Sequence, residues 1–100
     1  MNERLFEIEN EIDTLLTEII VPLRRKEINE EAFEKLFCIL NESTKLLENE
    51  SVISKRFAGL LFFAYTQIET QGKYAKYPDP IFKKLARLKS SIRGILGCIL

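Results

Sequence analysis

Apolar residues recur at intervals of three and four along most of this chain, and no stretch shows the strict alternation of a half-buried strand. Near residues 3–20, Leu5, Ile8, Ile12, Leu15 and Ile19 share one side of a helix whose other side is acidic. Pro22 lacks a backbone donor and is expected to end this helix or to open the turn after it. A second helix, about 29–48, begins at Asn29, a good N-cap, with Glu30 and Glu31 favourable against the helix dipole. Phe33, Leu36, Phe37, Leu40 and Leu47 form its apolar stripe. Asn49-Glu50-Ser51 then breaks the pattern, and Ser51 reads as the cap of a third helix.

That third helix, about 51–71, is the most apolar part of the chain. Ile53, Phe57, Leu60, Leu61, Ala64 and Ile68 make one face, and Phe62, Phe63 and Tyr65 widen it. A helix so broadly apolar is expected at the centre of a bundle. Gly59 costs up to about 1 kcal/mol of helix propensity against alanine, so it reads as a point of close helix approach. Gly72 stands where a C-cap glycine belongs. After the connection KYAKYPDP, residues 73–80, Asp79 reads as an N-cap and Pro80 as the first helical position. The fourth helix, about 79–94, places Ile81, Leu85, Leu88, Ile92 and Ile95 on a narrow face. Lys83, Lys84 and Arg87 point away from that face, and Lys89 and Arg93 flank it. Gly94 and Gly97 leave its end open, ahead of an apolar tail over 95–100. Short connections between four helices predict an all-α fold, an antiparallel four-helix bundle in a single domain spanning 1–100.

Composition adds a charge division to this outline. The formal net charge is zero, yet residues 1–50 hold six Lys/Arg against thirteen Asp/Glu, a balance of −7. Residues 51–100 hold nine against two, a balance of +7. Attraction between acidic and basic helices within one bundle accounts for most of this, and a basic surface for an anionic partner or membrane is compatible with it. The acidic start of the chain is wrong for a secretory signal. The longest uncharged apolar run, residues 57–65, is far short of the ~20 residues that span a bilayer. A cytoplasmic location is therefore expected, with Cys38 and Cys98 reduced and Cys38 serving as core filler, although a disulfide between them stays open.

Chemistry is sparse. There is no histidine, and no phosphate-binding lysine loop, dinucleotide glycine pattern or nucleophile elbow. Glu7 and Glu11, like Glu27 and Glu31, have helical spacing, but they lack the Glu-x-x-His partners of a di-iron site. The chain reads as a non-enzyme without cofactor or metal. A sequence pI near 6.3 and the lack of a helix-turn-helix pattern argue against nucleic acid. The basic residues of the fourth helix read equally as an ordinary solvated face. Tyr74 and Tyr77, with Lys73 and Lys76, form either an aromatic–basic contact patch or a packed hairpin loop.

The segment SVISKRFAGLLFFAYTQ, residues 51–67, resembles the third helix of the immunity proteins for pediocin-like (class IIa) bacteriocins, enterocin A immunity type. The likeness rests on Ile53, Leu60, Phe62 and the run Ala64-Tyr65-Thr66, followed by a connection, a basic helix and a tail; it is good over roughly 51–94 and architectural before that. The resemblance implies a cytosolic antiparallel four-helix bundle that protects a bacteriocin producer. It implies binding from inside the cell to the mannose phosphotransferase permease seized by the bacteriocin, and blockage of the resulting pore. In that family the fourth helix and tail govern which bacteriocin is resisted, which corresponds here to Ile81–Leu100. On that surface Lys83, Lys84, Arg87, Lys89 and Arg93 are the candidates for charged contact, and Ile95, Leu96, Ile99 and Leu100 for apolar contact. A helical adaptor or antitoxin-like module with a soluble partner is the alternative. Weak peripheral membrane contact through the same basic–apolar end is a third reading.

Overall fold

The four apolar stripes become four helices in the computed structural model, which describes residues 3–97. They are α1 (Glu3–Arg24), α2 (Glu30–Leu47), α3 (Lys55–Lys73) and α4 (Asp79–Leu96). Each packs on two others: α1 and α4 both touch α2 and α3, and the diagonal pairs α1–α4 and α2–α3 stay apart. Successive helices reverse direction, as an antiparallel four-helix bundle requires. Because the α2–α3 connection crosses the diagonal, α1 runs alongside α3 in the same sense, and α2 alongside α4. Arg56 at the start of α3 meets Asn10 and Asp13 of α1, and Lys84 and Arg87 of α4 meet Glu30 and Glu34 at the start of α2.

The expected stripes supply the core. Ile8, Ile12, Ile19, Phe33, Leu36, Leu40, Leu61, Ile68, Leu88 and Ile92 are essentially inaccessible. The fourth helix buries all five of its expected residues, Ile81, Leu85, Leu88, Ile92 and Ile95. Two polar residues are buried with them. Ser43 donates to the Ile39 carbonyl at 2.9 Å, and Glu9 accepts a hydrogen bond from Ser54.

Several local expectations are corrected. Pro22 does not end α1, which runs on to Arg24 before the chain turns through Lys26 at φ 66°. Proline cannot bond the carbonyl four residues back, and Asn29 Nδ2 donates to that carbonyl, Glu18 O, at 3.3 Å. The same side chain caps α2 as expected, its Oδ1 accepting from Ala32 N at 3.1 Å. The cap of α3 is Ser54 and not Ser51. Its Oγ accepts from Phe57 N at 3.0 Å and donates to Glu9 Oε1 at 3.2 Å, which the exposed Ser51 does not do. Gly72 is not a C-cap; it lies buried in the last turn of α3, where Phe82 and Ile81 occupy the space of a side chain. Gly59 has nothing within 4 Å of a Cβ position, so no helix approaches it.

Helix α4 starts at Asp79 with Pro78 at the cap position, one residue earlier than Asp79-Pro80 implied. It continues through Gly94 and stops at Gly97, whose left-handed φ of 68° directs its N–H to Arg93 O at 2.8 Å. Only glycine adopts that conformation cheaply. Cys38 is exposed and not core filler; Cys98, and with it the question of a Cys38–Cys98 pair, lies outside the described residues. Nor is α3 central. In a ring of four helices each has two neighbours and an outward side, and Phe62 and Phe63 stand on either edge of that side, 52% and 48% exposed.

Candidate partner-binding surface

Helix α4 divides its basic residues between two sides. At 100° per residue Lys84 and Arg87 fall on the side facing α2. Lys84 Nζ lies 2.8 Å from Glu30 and 5.5 Å above the Phe33 ring, with its side chain only 16% exposed. Arg87 Nη1 lies 2.8 Å from Glu34, and its guanidinium stacks 4.0 Å from the Phe37 ring centroid. Phe33 and Phe37 themselves stack, their centroids 6.2 Å apart. Two of the five cations selected from the sequence are thus spent on holding α4 against α2. This is the internal charge complementarity that the two halves of the chain foretold.

Lys83, Lys89 and Arg93 make no ion pair among the described residues. Lys83 and Arg93 are exposed, and Lys89 is half-buried. Lys89 and Arg93 lie on the same flank of α4 as Phe82, the flank that meets α3, since Phe82 Cε1 lies 3.0 Å from the Cβ position of Gly72. Antiparallel packing from that contact brings Tyr65 level with Lys89, and Phe62 within one residue of the level of Arg93. The outcome is a surface along the α3–α4 seam with an exposed phenyl ring, a half-buried tyrosine and two unpaired cations.

Of the apolar candidates, Ile95 is withdrawn from the surface. It is 7% exposed and completes the core stripe of α4. Leu96 is half-buried against that core. Ile99 and Leu100 lie outside the described residues. Sequence reasoning missed the exposure of Phe62 and Phe63, because both were counted into a broad buried face. Their spacing held the signal: Phe57, Leu61, Ala64 and Ile68 already complete a stripe, which leaves Phe62 and Phe63 beyond its edges. Tyr74 and Tyr77 are also exposed, with Lys76 Nζ 5.6 Å from the Tyr77 ring, but they sit at the opposite end of the bundle from Arg93.

A second surface feature was not anticipated. Arg4 bonds Glu42 twice, at 2.6 and 2.8 Å, and reaches Glu7 and Glu11 on its own helix. Glu7 and Glu11 therefore share a guanidinium. That guanidinium also holds the Glu42 carboxyl below the usual carboxylate range by hydrogen bonding to its charged form. Among the described residues no group of three or more histidine, cysteine or acidic side chains is arranged to hold a metal ion, and no helix is long and apolar enough to cross a membrane. No family model, curated protein or solved structure matches the chain.

Proposed function

We propose that this chain is an immunity protein of the pediocin-like bacteriocin type. In this reading it sits in the cytoplasm at the inner face of the membrane, recognises the mannose phosphotransferase permease occupied by the bacteriocin, and blocks the pore without chemical change to the peptide. Support comes from the likeness of residues 51–67 to that family's third helix and from the four-helix bundle that the likeness implies. The observation that carries the reading is the α3–α4 seam, which presents half-exposed Phe62 together with two cations, Lys89 and Arg93, that make no ion pair among the described residues. Burying one such ring in a partner contributes about 1.5–3 kcal/mol, and flanking cations add orientation and encounter rate. Aromatic residues with arginine are the side chains that most often anchor an interface.

Sensitive cells expressing the chain are expected to survive a matching bacteriocin. Survival should fall for Phe62→Ala and for Arg93→Glu while the purified variants keep their unfolding midpoints. Truncation after Gly97 tests the tail without removing Ile95 from the core. Protection against no member of a broad bacteriocin panel would overturn the reading.

The adaptor or antitoxin-like alternative has an observation of its own. A groove of about 730 Å³ between α1 and α2 has Leu15 and Ile39 among its lining residues; Glu11, Glu31 and Glu34 on its rim are paired with Arg4, Lys35 and Arg87, which leaves Glu18 as its acid without an ion pair among the described residues. Its apolar floor and the unpaired Glu18 would admit a soluble partner that brings one cation beside an apolar side chain. Recovery of a cytosolic protein and no permease component in a pull-down, lost on reversing charge at Glu18, would favour that reading.

A further inference from the structure

At the end of the bundle where α1 and α3 begin and α2 ends, the helices part around a cavity of about 440 Å³. Leu5, Leu46, Val52, Ile53 and Phe57 contribute apolar wall. Two carboxylates line the same space, Glu9 and Glu50, and among the described lining residues there is no lysine or arginine. Glu9 is 4% exposed, the one buried charged residue in the described chain. Its hydrogen-bonding partner is the Ser54 hydroxyl, at 3.2 Å from Oε1. That hydroxyl has a single proton, and its oxygen is also engaged by Phe57 N–H.

Burying a carboxylate costs several kcal/mol unless a counter-charge or several donors compensate it. Here one neutral hydroxyl and the positive end of the α3 dipole do so. Glu7, Glu11 and Asp13, also on α1, are each met by an arginine. Among the described residues, Glu9 is the acid that combines burial with no ion pair. A cation entering the cavity would gain its partner in a low-dielectric setting, and the apolar walls would bury an alkyl stem.

We infer that this cavity is a binding site for an aliphatic ammonium ion, its nitrogen paired with Glu9 and its stem packed between Leu5, Leu46 and Phe57. The site is separate from the α3–α4 seam and does not depend on the immunity reading. Glu50 also lines the cavity but is exposed, so Glu9 is its buried carboxylate. The mouth is marked by Val52, the most exposed of the large apolar side chains among the described residues.

The test is a titration of the full chain, isotopically labelled, with n-octylammonium and separately with n-octanol, followed through the amide resonances of Ser54 and Phe57. Octylammonium is expected to bind at least tenfold more tightly than the alcohol of equal length. Glu9→Gln keeps an oxygen to accept the Ser54 proton and removes the charge, so the fold should persist and the tenfold preference should vanish. Val52→Lys, a change at an exposed position, should weaken octylammonium by a similar factor by placing a competing ammonium at the mouth. Equal binding of the two probes, no saturable shift at Ser54 and Phe57, or a preference that survives Glu9→Gln would each overturn the assignment.

Discussion

A methyl group added at Gly59 would meet open space, whereas one added at Gly72 would stand 3.0 Å from Phe82 Cε1 and 3.2 Å from Ile81 Cγ2. Both glycines lie in α3, so the same substitution has different consequences. Gly59→Ala should raise stability by about 0.5–1 kcal/mol through helix propensity alone. Gly72→Ala should fall at least about 1 kcal/mol short of that, because the overlap with Phe82 and Ile81 offsets the propensity gain. Urea midpoints of the two variants check the order. Asn29 is a second residue whose role depends on its surroundings, since it caps α2 with its oxygen and serves the Glu18 carbonyl with its nitrogen. Its capping role was legible in the sequence. Its second role was not, because the carbonyl freed by Pro22 becomes a partner only once the α1–α2 turn brings it within reach. Gly59 and Ser51 show the same limit: a residue type announces a local preference, but only tertiary packing decides whether it is used.

At the scale of elements, α1 is clipped to α2 by Arg4 and α4 to α2 by Lys84 and Arg87. The first clip has a pH signature. Arg4 depresses the folded-state pKa of Glu42, so the contact contributes fully above the unfolded glutamate value of about 4.3 and is lost as pH falls through the lower folded value. Arg4→Gln should therefore flatten the acid limb of the stability–pH curve below about pH 4.3. Its slope near neutrality should not change. A variant whose acid limb matches the wild type would exclude this role for Arg4. The second clip is partly apolar, because the Arg87 guanidinium lies on Phe37 as well as against Glu34. A double-mutant cycle between Arg87 and Glu34 should give a coupling of at most about 1 kcal/mol that shrinks with added salt. Arg87→Ala alone should cost more than this coupling, since it also uncovers the Phe37 ring. Four helices and their core stripes followed from periodicity, but which basic residues were free for a partner did not. That depended on the ring order of the helices, and Lys84 and Lys89 look alike until α2 is known to lie beside one and α3 beside the other.

The molecule as a whole is two hairpins of opposite charge laid side by side. Residues 1–50, α1 with α2, carry −7, and residues 51–100, α3 with α4, carry +7. The hairpins meet along the α1–α3 and α2–α4 contacts, where Arg56 faces Asn10 and Asp13, Lys84 faces Glu30 and Arg87 faces Glu34. Between these polar edges runs the core itself, with Ile12 and Leu36 supplied by one hairpin and Leu61 and Leu88 by the other. Neither hairpin can bury its stripe alone, so cleavage in the 48–54 connection should yield two fragments that are largely unfolded apart and helical together. Charge governs how fast they find each other, and apolar burial governs how tightly they hold. Mixed at low ionic strength, the fragments should recover the helical signal of the intact chain with an association rate that falls steeply between about 10 mM and 0.5 M salt, as the screening length shrinks from ~30 Å to a few ångströms. The dissociation rate should change far less, because most of what must be undone is the buried stripe. Stopped-flow circular dichroism across a salt series separates the two rates. An association rate indifferent to salt would show that the division of charge plays no part in assembling the bundle, and would return the basic half of the chain to the service of an outside partner.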